Sequence, residues 1–175
     1  MASVWDSVYG QDRAVEQLRL ASVNPVHAFL LVGPDGCGKD EAARAFAGVL
    51  LSGTDDATDR TNDLAVRGRH ADIHEVRRAG ASILMAQAEE VVEMSMLTPT
   101  EGSKKVIIMH EVNLMAPAAA AALLKSVEEP PPGVHFILLA DTMVDTLVTI
   151  ASRCMTIQFA QMEQSAIEKQ LVHEG

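Results

Sequence analysis

A stretch of eight residues beginning at Gly33 has the residue types and the spacing that bind phosphate. It follows the pattern G-x-x-x-x-G-K between an apolar run, Ala28–Val32, and a helical pattern that begins at Glu41. Glycines let such a loop turn tightly and direct backbone N–H groups at phosphate oxygens, and the helix start adds a positive dipole end. Lys39 is predicted to reach the β- and γ-phosphates of a nucleotide. The candidate nucleotide-binding residues are Gly33, Pro34, Asp35, Gly36, Cys37, Gly38, Lys39 and Asp40.

Asp40 departs from this pattern. A hydrolytic loop has serine or threonine after the lysine, because that hydroxyl binds Mg²⁺. An aspartate adds negative charge beside the triphosphate and can pair with Lys39 and neutralise it. We therefore expect a loop that is shaped for phosphate but binds it weakly.

A second apolar strand, Val106–Met109, ends at His110 and Glu111. Nucleotide-hydrolysing proteins have two acids at this point, the first helping to hold Mg²⁺ and the second orienting the attacking water. Mg²⁺ prefers oxygen ligands in octahedral geometry, so an imidazole at the first position is a poor substitute. Glu111 keeps the second acid as a remnant of this degenerate pair. Because Asp40 and His110 alter both metal-holding positions, we predict that the chain holds no metal and lacks hydrolysis.

The scaffold that must position these residues is predicted to be a layered α/β fold. Apolar strands alternate with helical patterns, which favours a mainly parallel sheet flanked by helices. Ser52–Asp63 is polar and is predicted to be a surface loop, and Ser82 is predicted to cap the next helix. The predicted strands are 28–32, 70–76, 106–109, 134–140 and 154–159, and the predicted helices are 12–23, 41 to about 51, 82–96, 117–127, 144–152 and 164–174.

Four polar residues in one predicted strand, His70, Asp72, His74 and Glu75, include types that bind metals. Side chains along a strand alternate between its two faces, so this spacing divides the four residues. No further ligand cluster accompanies them. We therefore assign no metal site to this strand.

Composition limits the class of protein. The 175 residues suit one domain with a sizeable core. The net charge of −10 argues against electrostatic binding of nucleic acid over a broad surface. Cys37 and Cys154 are far apart, which indicates free thiols in a reducing compartment. The sequence has no apolar run long enough to span a membrane and no leader pattern. We expect a cytoplasmic protein without membrane contact.

Four stretches together resemble the clamp-loader subunits of the AAA+ class, and most closely the delta-prime family of bacterial DNA polymerase III. They are the phosphate loop, the strand that ends at Glu111, the run A-x-x-L-L-K-x-x-E-E-P-P that ends at Pro131, and the triplet Ser152-Arg153-Cys154. The resemblance extends through the chain from Tyr9. It implies a P-loop NTPase-like (AAA+) fold with three layers.

The resemblance also implies roles for single residues. Arg153 matches an arginine that reaches across an interface to the ATP of a neighbouring motor subunit, where a guanidinium stabilises charge on the transferred phosphoryl group. The alternative is that Arg153 only pairs with a surface acid. The residues from Val8 to Gln11, including Tyr9, match a stretch near the adenine, and the alternative is that they only pack the N-terminus. Asp141 or Thr142 lies where relatives sense the γ-phosphate.

Two glutamates, Glu128 and Glu129, end the alanine-rich helix. Negative charge at this end opposes the helix dipole, which favours a cation there. The sequence leaves two interpretations open: a specific contact or a solvated helix end.

The sequence also departs from this family. Relatives commonly carry a four-cysteine zinc module after the first loop helix, but residues 52–63 contain no cysteine, so we predict no zinc. Relatives continue into a lid domain and a helical collar. We expect residues 1–160 to form the AAA+ domain and residues 161–175 to begin a truncated helical lid.

These inferences predict a subunit of the DNA polymerase III clamp loader that acts in DNA replication, lacks hydrolysis and donates Arg153 to a neighbouring ATPase. The expected partners are the clamp-loader ATPase subunits and the delta subunit, with the sliding clamp contacted indirectly and DNA weakly or through the complex. We expect no required cofactor and at most weak binding of ATP or ADP. Two alternatives stay open: an active AAA+ ATPase that uses Asp40 and Glu111, and a stand-alone nucleotide-binding switch.

Overall fold

The chain folds around a parallel sheet in a computed structural model that describes residues 1–162 and 164–174. Within the described residues the sheet has five strands in the order β2-β3-β4-β1-β5. The strands are β1 (Ala28–Val32), β2 (Ile73–Val76), β3 (Lys105–Met109), β4 (Val134–Ala140) and β5 (Met155–Gln158). The helices are α1 (Asp12–Val23), α2 (Lys39–Ser52), α3 (Arg60–Val66), α4 (Met85–Met96), α5 (Pro117–Glu128), α6 (Val148–Ala151) and α7 (Gln164–Glu174).

Helices cover both faces of the sheet because successive strand residues point to opposite faces. On one face, Phe29 of β1 packs edge-on against Phe46 of α2, with ring centroids 4.7 Å apart. On the other face, Leu30 of β1 shares a second buried cluster with Leu123 of α5. The predicted three-layer α/β fold with a mainly parallel sheet is confirmed.

The segment after α2 corrects one prediction. Residues 52–63 are not a loop throughout, because α3 begins at Arg60. The side chain of Asp59 caps this helix by accepting a hydrogen bond from the backbone N–H of Asn62 at 3.1 Å. Asn62 is completely buried. A short helix with a polar residue facing the interior lacks the apolar periodicity that the sequence analysis relied on.

The start of α4 corrects a second prediction. Ser82 does not cap this helix, which begins at Met85 after Leu84. Ile83 instead forms a bridge to Met115, and its backbone N–H donates to the carbonyl of Leu114 at 2.9 Å. This long-range pairing keeps the chain extended where the local pattern predicts a helix.

Three other elements are shorter than predicted. The last strand, predicted over 154–159, is observed as β5 over Met155–Gln158. The strand predicted over 70–76 is ordered as β2 only over Ile73–Val76, and the helix predicted over 144–152 is a 3₁₀ turn, Asp145–Leu147, followed by α6. The predicted bounds of α1, β1, β4 and α7 agree with the structure. Among the helices of the described residues, none combines the length and apolarity needed to cross a bilayer.

Candidate functional site

The candidate site lies at the edge of the sheet where the parallel strands end. Gly33 follows β1, His110 follows β3 and Asp141 follows β4. Because β3, β4 and β1 are adjacent and parallel, these three chain segments meet at the same edge. Open α/β sheets bind ligands at this edge.

The phosphate loop has the backbone that the motif predicts. Gly36 and Gly38 have φ values of +76° and +94°, which residues other than glycine rarely adopt. Gly33 is required for a different reason, since a Cβ atom there would lie 2.6 Å from Cβ of Phe159. Gly38 is the N-cap of α2 and provides no side-chain cap, so the N-terminal N–H groups of that helix point into the loop.

Lys39 is neutralised by an acid of its own chain. Its side chain is 4% exposed, and Nζ donates to Oδ1 of Asp141 at 2.9 Å and to the carbonyl of Pro34 at 3.4 Å. The backbone N–H of Asp141 donates to Oδ1 of Asn113 at 3.1 Å, which fixes the end of β4. The sequence analysis considered Asp40 as the partner of Lys39, but Asp141 is the residue that pairs with it.

Asp40 lies instead beside a buried histidine. Its Oδ2 is 3.7 Å from Nδ1 of His110, whose side chain is 4% exposed. The other ring nitrogen of His110, Nε2, is 3.1 Å from Oε1 of Glu75 at the end of β2. Arg44 of α2 donates to both oxygens of Glu75, at 3.0 and 2.9 Å. We call Asp40, His110, Glu75 and Arg44 the histidine network.

Within the histidine network, the Glu75 carboxylate and the Arg44 guanidinium stabilise each other's charge. The hydrogen bond from His110, together with the bidentate Arg44, lowers the pKa of the Glu75 carboxyl to about 2 despite its burial. The pKa of the Arg44 guanidinium is raised, chiefly by its hydrogen bonds to Glu75. Each charge in the network therefore faces a partner, and the Glu75 carboxylate is held ionised.

The side chains at this edge do not fit Mg²⁺. An imidazole stands at the position of the first acid, and Asp40 supplies a carboxylate where a hydroxyl is required. Within residues 1–162 and 164–174, no three His, Cys, Asp or Glu side chains are placed to hold a metal ion together. The arrangement suits charge neutralisation within the chain better than activation of water.

Glu111, the remaining acid of the degenerate pair, is directed to a different partner. Its φ of 54° is the only positive value for a non-glycine residue in the described part of the chain. Its carboxylate pairs with Nε of Arg78, and both side chains are partly exposed. The carboxylate of Glu111 is therefore engaged by a side chain of its own chain.

Arg153 lies away from the loop of its own chain. Arg153 precedes β5, whose first residue, Met155, pairs in register with Phe29. The start of β5 is therefore four residue steps, or about 13 Å at ~3.3 Å per residue, from Gly33 of the loop. Nε of Arg153 donates to Oε1 of Glu128, and the arginine side chain is 36% exposed. The structure therefore brings Arg153 to a surface acid and not to Lys39.

Gln11, which belongs to the stretch predicted to lie near the adenine, joins the loop to the segment after β5. Gln11 is 4% exposed, and its Nε2 donates to the carbonyls of Cys37 at 2.9 Å and Ala160 at 2.6 Å. Its Oε1 accepts from the backbone N–H of Ala160 at 3.1 Å. Tyr9, the predicted adenine-side residue, has its carbonyl next to Gly38, and its ring contacts His173 of α7.

A cavity of about 370 Å³ opens beside Gln11, lined also by Gly10 and by residues from Gln158 to Ala160. This cavity lies next to the loop, on the side where the resemblance implies an adenine. Sequence reasoning named Glu75 only as a rejected metal ligand and did not select Arg44. The signal that was available for Arg44 is that it is the only charged residue in the apolar run from Ala42 to Leu51.

Comparison with known proteins identifies the family. The family model described as DNA polymerase III, delta subunit, matches residues 10–163. The chain belongs to this family. The delta-prime resemblance of the sequence motifs is thereby confirmed, since the curated relatives include delta-prime subunits.

Two delta-prime relatives match most of this chain at more than 30% identity. DNA polymerase III subunit delta' of Bacillus subtilis is 34% identical over 152 residues, which are 85% of this chain and 46% of that protein. The delta' subunit of Pseudomonas aeruginosa is 33% identical over 74% of this chain and 42% of its own length. The chain thus spans less than half of either relative.

Solved structures share the fold at low sequence identity. A DNA polymerase III gamma subunit-related protein from Thermotoga maritima superposes with a TM-score of 0.62 at 19% identity, covering 92% of this chain and 49% of that one. A RuvB variant from Thermotoga maritima superposes with a TM-score of 0.63 at 17% identity, covering 96% of this chain and 51% of that one. These neighbours confirm the P-loop NTPase-like (AAA+) fold.

Proposed function

We propose that the chain is a clamp-loader subunit of DNA polymerase III that hydrolyses no ATP itself and supplies Arg153 to ATP held by a neighbouring subunit. The main observation that supports this proposal is the histidine network. Buried His110, held between Asp40 and Glu75, stands where a hydrolysing relative needs a metal-binding acid.

Two further contacts support the loss of hydrolysis. Lys39, which should reach the nucleotide phosphates, is paired with Asp141. Glu111, which should orient water, is paired with Arg78. Both groups would have to break an ion pair before they could act on a bound nucleotide, and the imidazole of His110 would still be a poor ligand for Mg²⁺.

The position of Arg153 supports a role in trans. It lies at the opposite end of the strands from the loop of its own chain, and it is partly exposed. An arginine supplied from a neighbouring subunit stabilises the negative charge that develops in phosphoryl transfer. The proposed partners are the clamp-loader ATPase subunits and the delta subunit, in the cytoplasm, with the clamp and DNA reached through the complex.

Phosphate release from the purified chain tests the first half of the proposal. With ATP and Mg²⁺ we expect the same background rate for the native chain and for Lys39→Ala. Mg²⁺-dependent turnover that Lys39→Ala abolishes would show an active ATPase and refute the proposal. Calorimetric titration with ADP and ATP tests the alternative of a nucleotide-binding switch, which requires saturable binding.

A reconstituted clamp loader tests the second half. Arg153→Ala is expected to slow ATP hydrolysis at the site it faces by about 10³-fold or more in single-turnover measurements. Arg60→Ala is the matched control, because Arg60 is also an exposed arginine paired with a glutamate, Glu101. Equal hydrolysis rates in the two variants would remove Arg153 from the proposed site.

A further inference from the structure

The end of α5 holds a glutamate in a position that its helix disfavours. Glu128 is the last residue of this 12-residue helix. A carboxylate there faces the negative end of the helix dipole, where a cation is favoured. Its carboxylate is bound by Nε of Arg153, which compensates this repulsion. Of the two interpretations open from the sequence, the structure therefore shows a specific contact at Glu128.

The contacts of Arg153 use two of the three nitrogens of its guanidinium. Nε donates to Glu128, and Nη1 donates to the carbonyl of Thr149 at 2.8 Å and to Oγ of Ser152 at 2.9 Å. A guanidinium has five N–H donors, and these three contacts use the one on Nε and the two on Nη1. Nη2 makes no hydrogen bond to the residues that the structure describes. Its two N–H groups are therefore available on a side chain that is 36% exposed.

We propose that Glu128 is a positioning residue for Arg153, holding the guanidinium so that the Nη2 edge is presented to a phosphate oxygen of ATP on a neighbouring subunit. This inference rests on the proposed function of Arg153 in trans. Glu128 does not touch the nucleotide and acts only through the arginine.

The physical reason is preorganisation. A free arginine side chain has many rotamers, and ordering it at the moment of catalysis opposes the gain from binding phosphate. A charge-assisted bond to Nε, together with two bonds from Nη1, selects one orientation before the interface forms. The opposite role, in which Glu128 holds the arginine away from its target, predicts the opposite sign when the acid is removed.

The test uses the reconstituted clamp loader and measures ATP hydrolysis as kcat and KM separately. Glu128→Ala is expected to lower kcat about tenfold and to leave KM for ATP within about twofold. The kcat of Glu128→Gln is expected to lie between those of the native chain and Glu128→Ala, because the uncharged amide oxygen still accepts a hydrogen bond from Nε of Arg153. Glu129→Ala is the matched control, an exposed glutamate at the neighbouring position, and it is expected to retain the native rate.

The double variant Glu128→Ala/Arg153→Ala separates positioning from general damage. We expect it to be no slower than Arg153→Ala, because the acid acts only through the arginine. A native rate in Glu128→Ala, a faster rate, or a further loss in the double variant would each overturn the positioning role. A native rate in Arg153→Ala would instead overturn the proposed function.

Discussion

Replacing Glu75 with glutamine is expected to weaken the fold at pH 7 by about 3 kcal/mol. The carboxyl has an ordinary pKa of 4.5 and a pKa of about 2 in the folded chain, where His110 and Arg44 hydrogen-bond its ionised form. At 1.36 kcal/mol for each pKa unit, this difference corresponds to about 3 kcal/mol of folding free energy. The side chain is 18% exposed, so solvent screens the interaction only weakly.

The same contacts determine how this contribution depends on pH. Since folding lowers the pKa of Glu75, its stabilisation is fully present above pH 4.5 and is lost as the pH falls toward 2. At pH 2 the remaining contribution is below about 0.5 kcal/mol. Because glutamine resembles the protonated acid, the native chain and Glu75→Gln should converge in stability over this range.

Urea unfolding of the native chain and Glu75→Gln at several pH values between 7 and 2 measures this difference. For a chain of 175 residues, about 3 kcal/mol also corresponds to a loss of about 6–12 °C in thermal midpoint at pH 7. Glu90→Gln, at an exposed glutamate on α4, is the matched control and should change little. A difference below about 1 kcal/mol at pH 7, or one that stays constant down to pH 2, would refute the electrostatic account of the histidine network.

Two further predictions concern the phosphate loop and the thiols. Gly33→Ala should lower the free energy of unfolding in urea by about 1–3 kcal/mol, because the new Cβ would overlap Cβ of Phe159. Gly80→Ala is the control and should be close to neutral, since a Cβ there would have no atom within 4 Å. Equal losses in the two variants would contradict this packing. Burial raises the pKa of the Cys154 thiol to about 12 and also raises that of Cys37, so both should react slowly with a thiol reagent at pH 8 when folded and rapidly in denaturant. Rapid reaction of the folded chain would show that these thiols are not shielded.

The elements with strong local patterns could be predicted from the sequence. The apolar run of β1 and the helical periodicity of α1 predict the bounds of these elements, because the residues that each element buries recur at a fixed local spacing. The elements that were predicted incorrectly depend on contacts that apolar periodicity does not indicate. Ile83 is held extended by Met115, and Asn62 packs inside the fold through hydrogen bonds to the carbonyls of Thr54 and Asp56.

The candidate site also has features that local sequence predicts and features that it does not. The phosphate loop is one continuous segment, so its spacing alone predicted the turn and the unsuitable residue Asp40. The partner of Lys39 lies 102 residues away in sequence, and Glu75 lies 35 residues from His110. No local spacing indicates such pairs.

The sequence by itself determined that this chain has a phosphate loop, lacks the usual metal-binding side chains and carries an arginine in a family motif. Only the tertiary structure decided that acids of the same chain lie beside Lys39 and His110, and that Arg153 lies away from the loop of its own chain. The physical reason is that strand order and register place distant residues together. Electrostatic pairing depends on distances of 3–4 Å in space and not on separation along the chain.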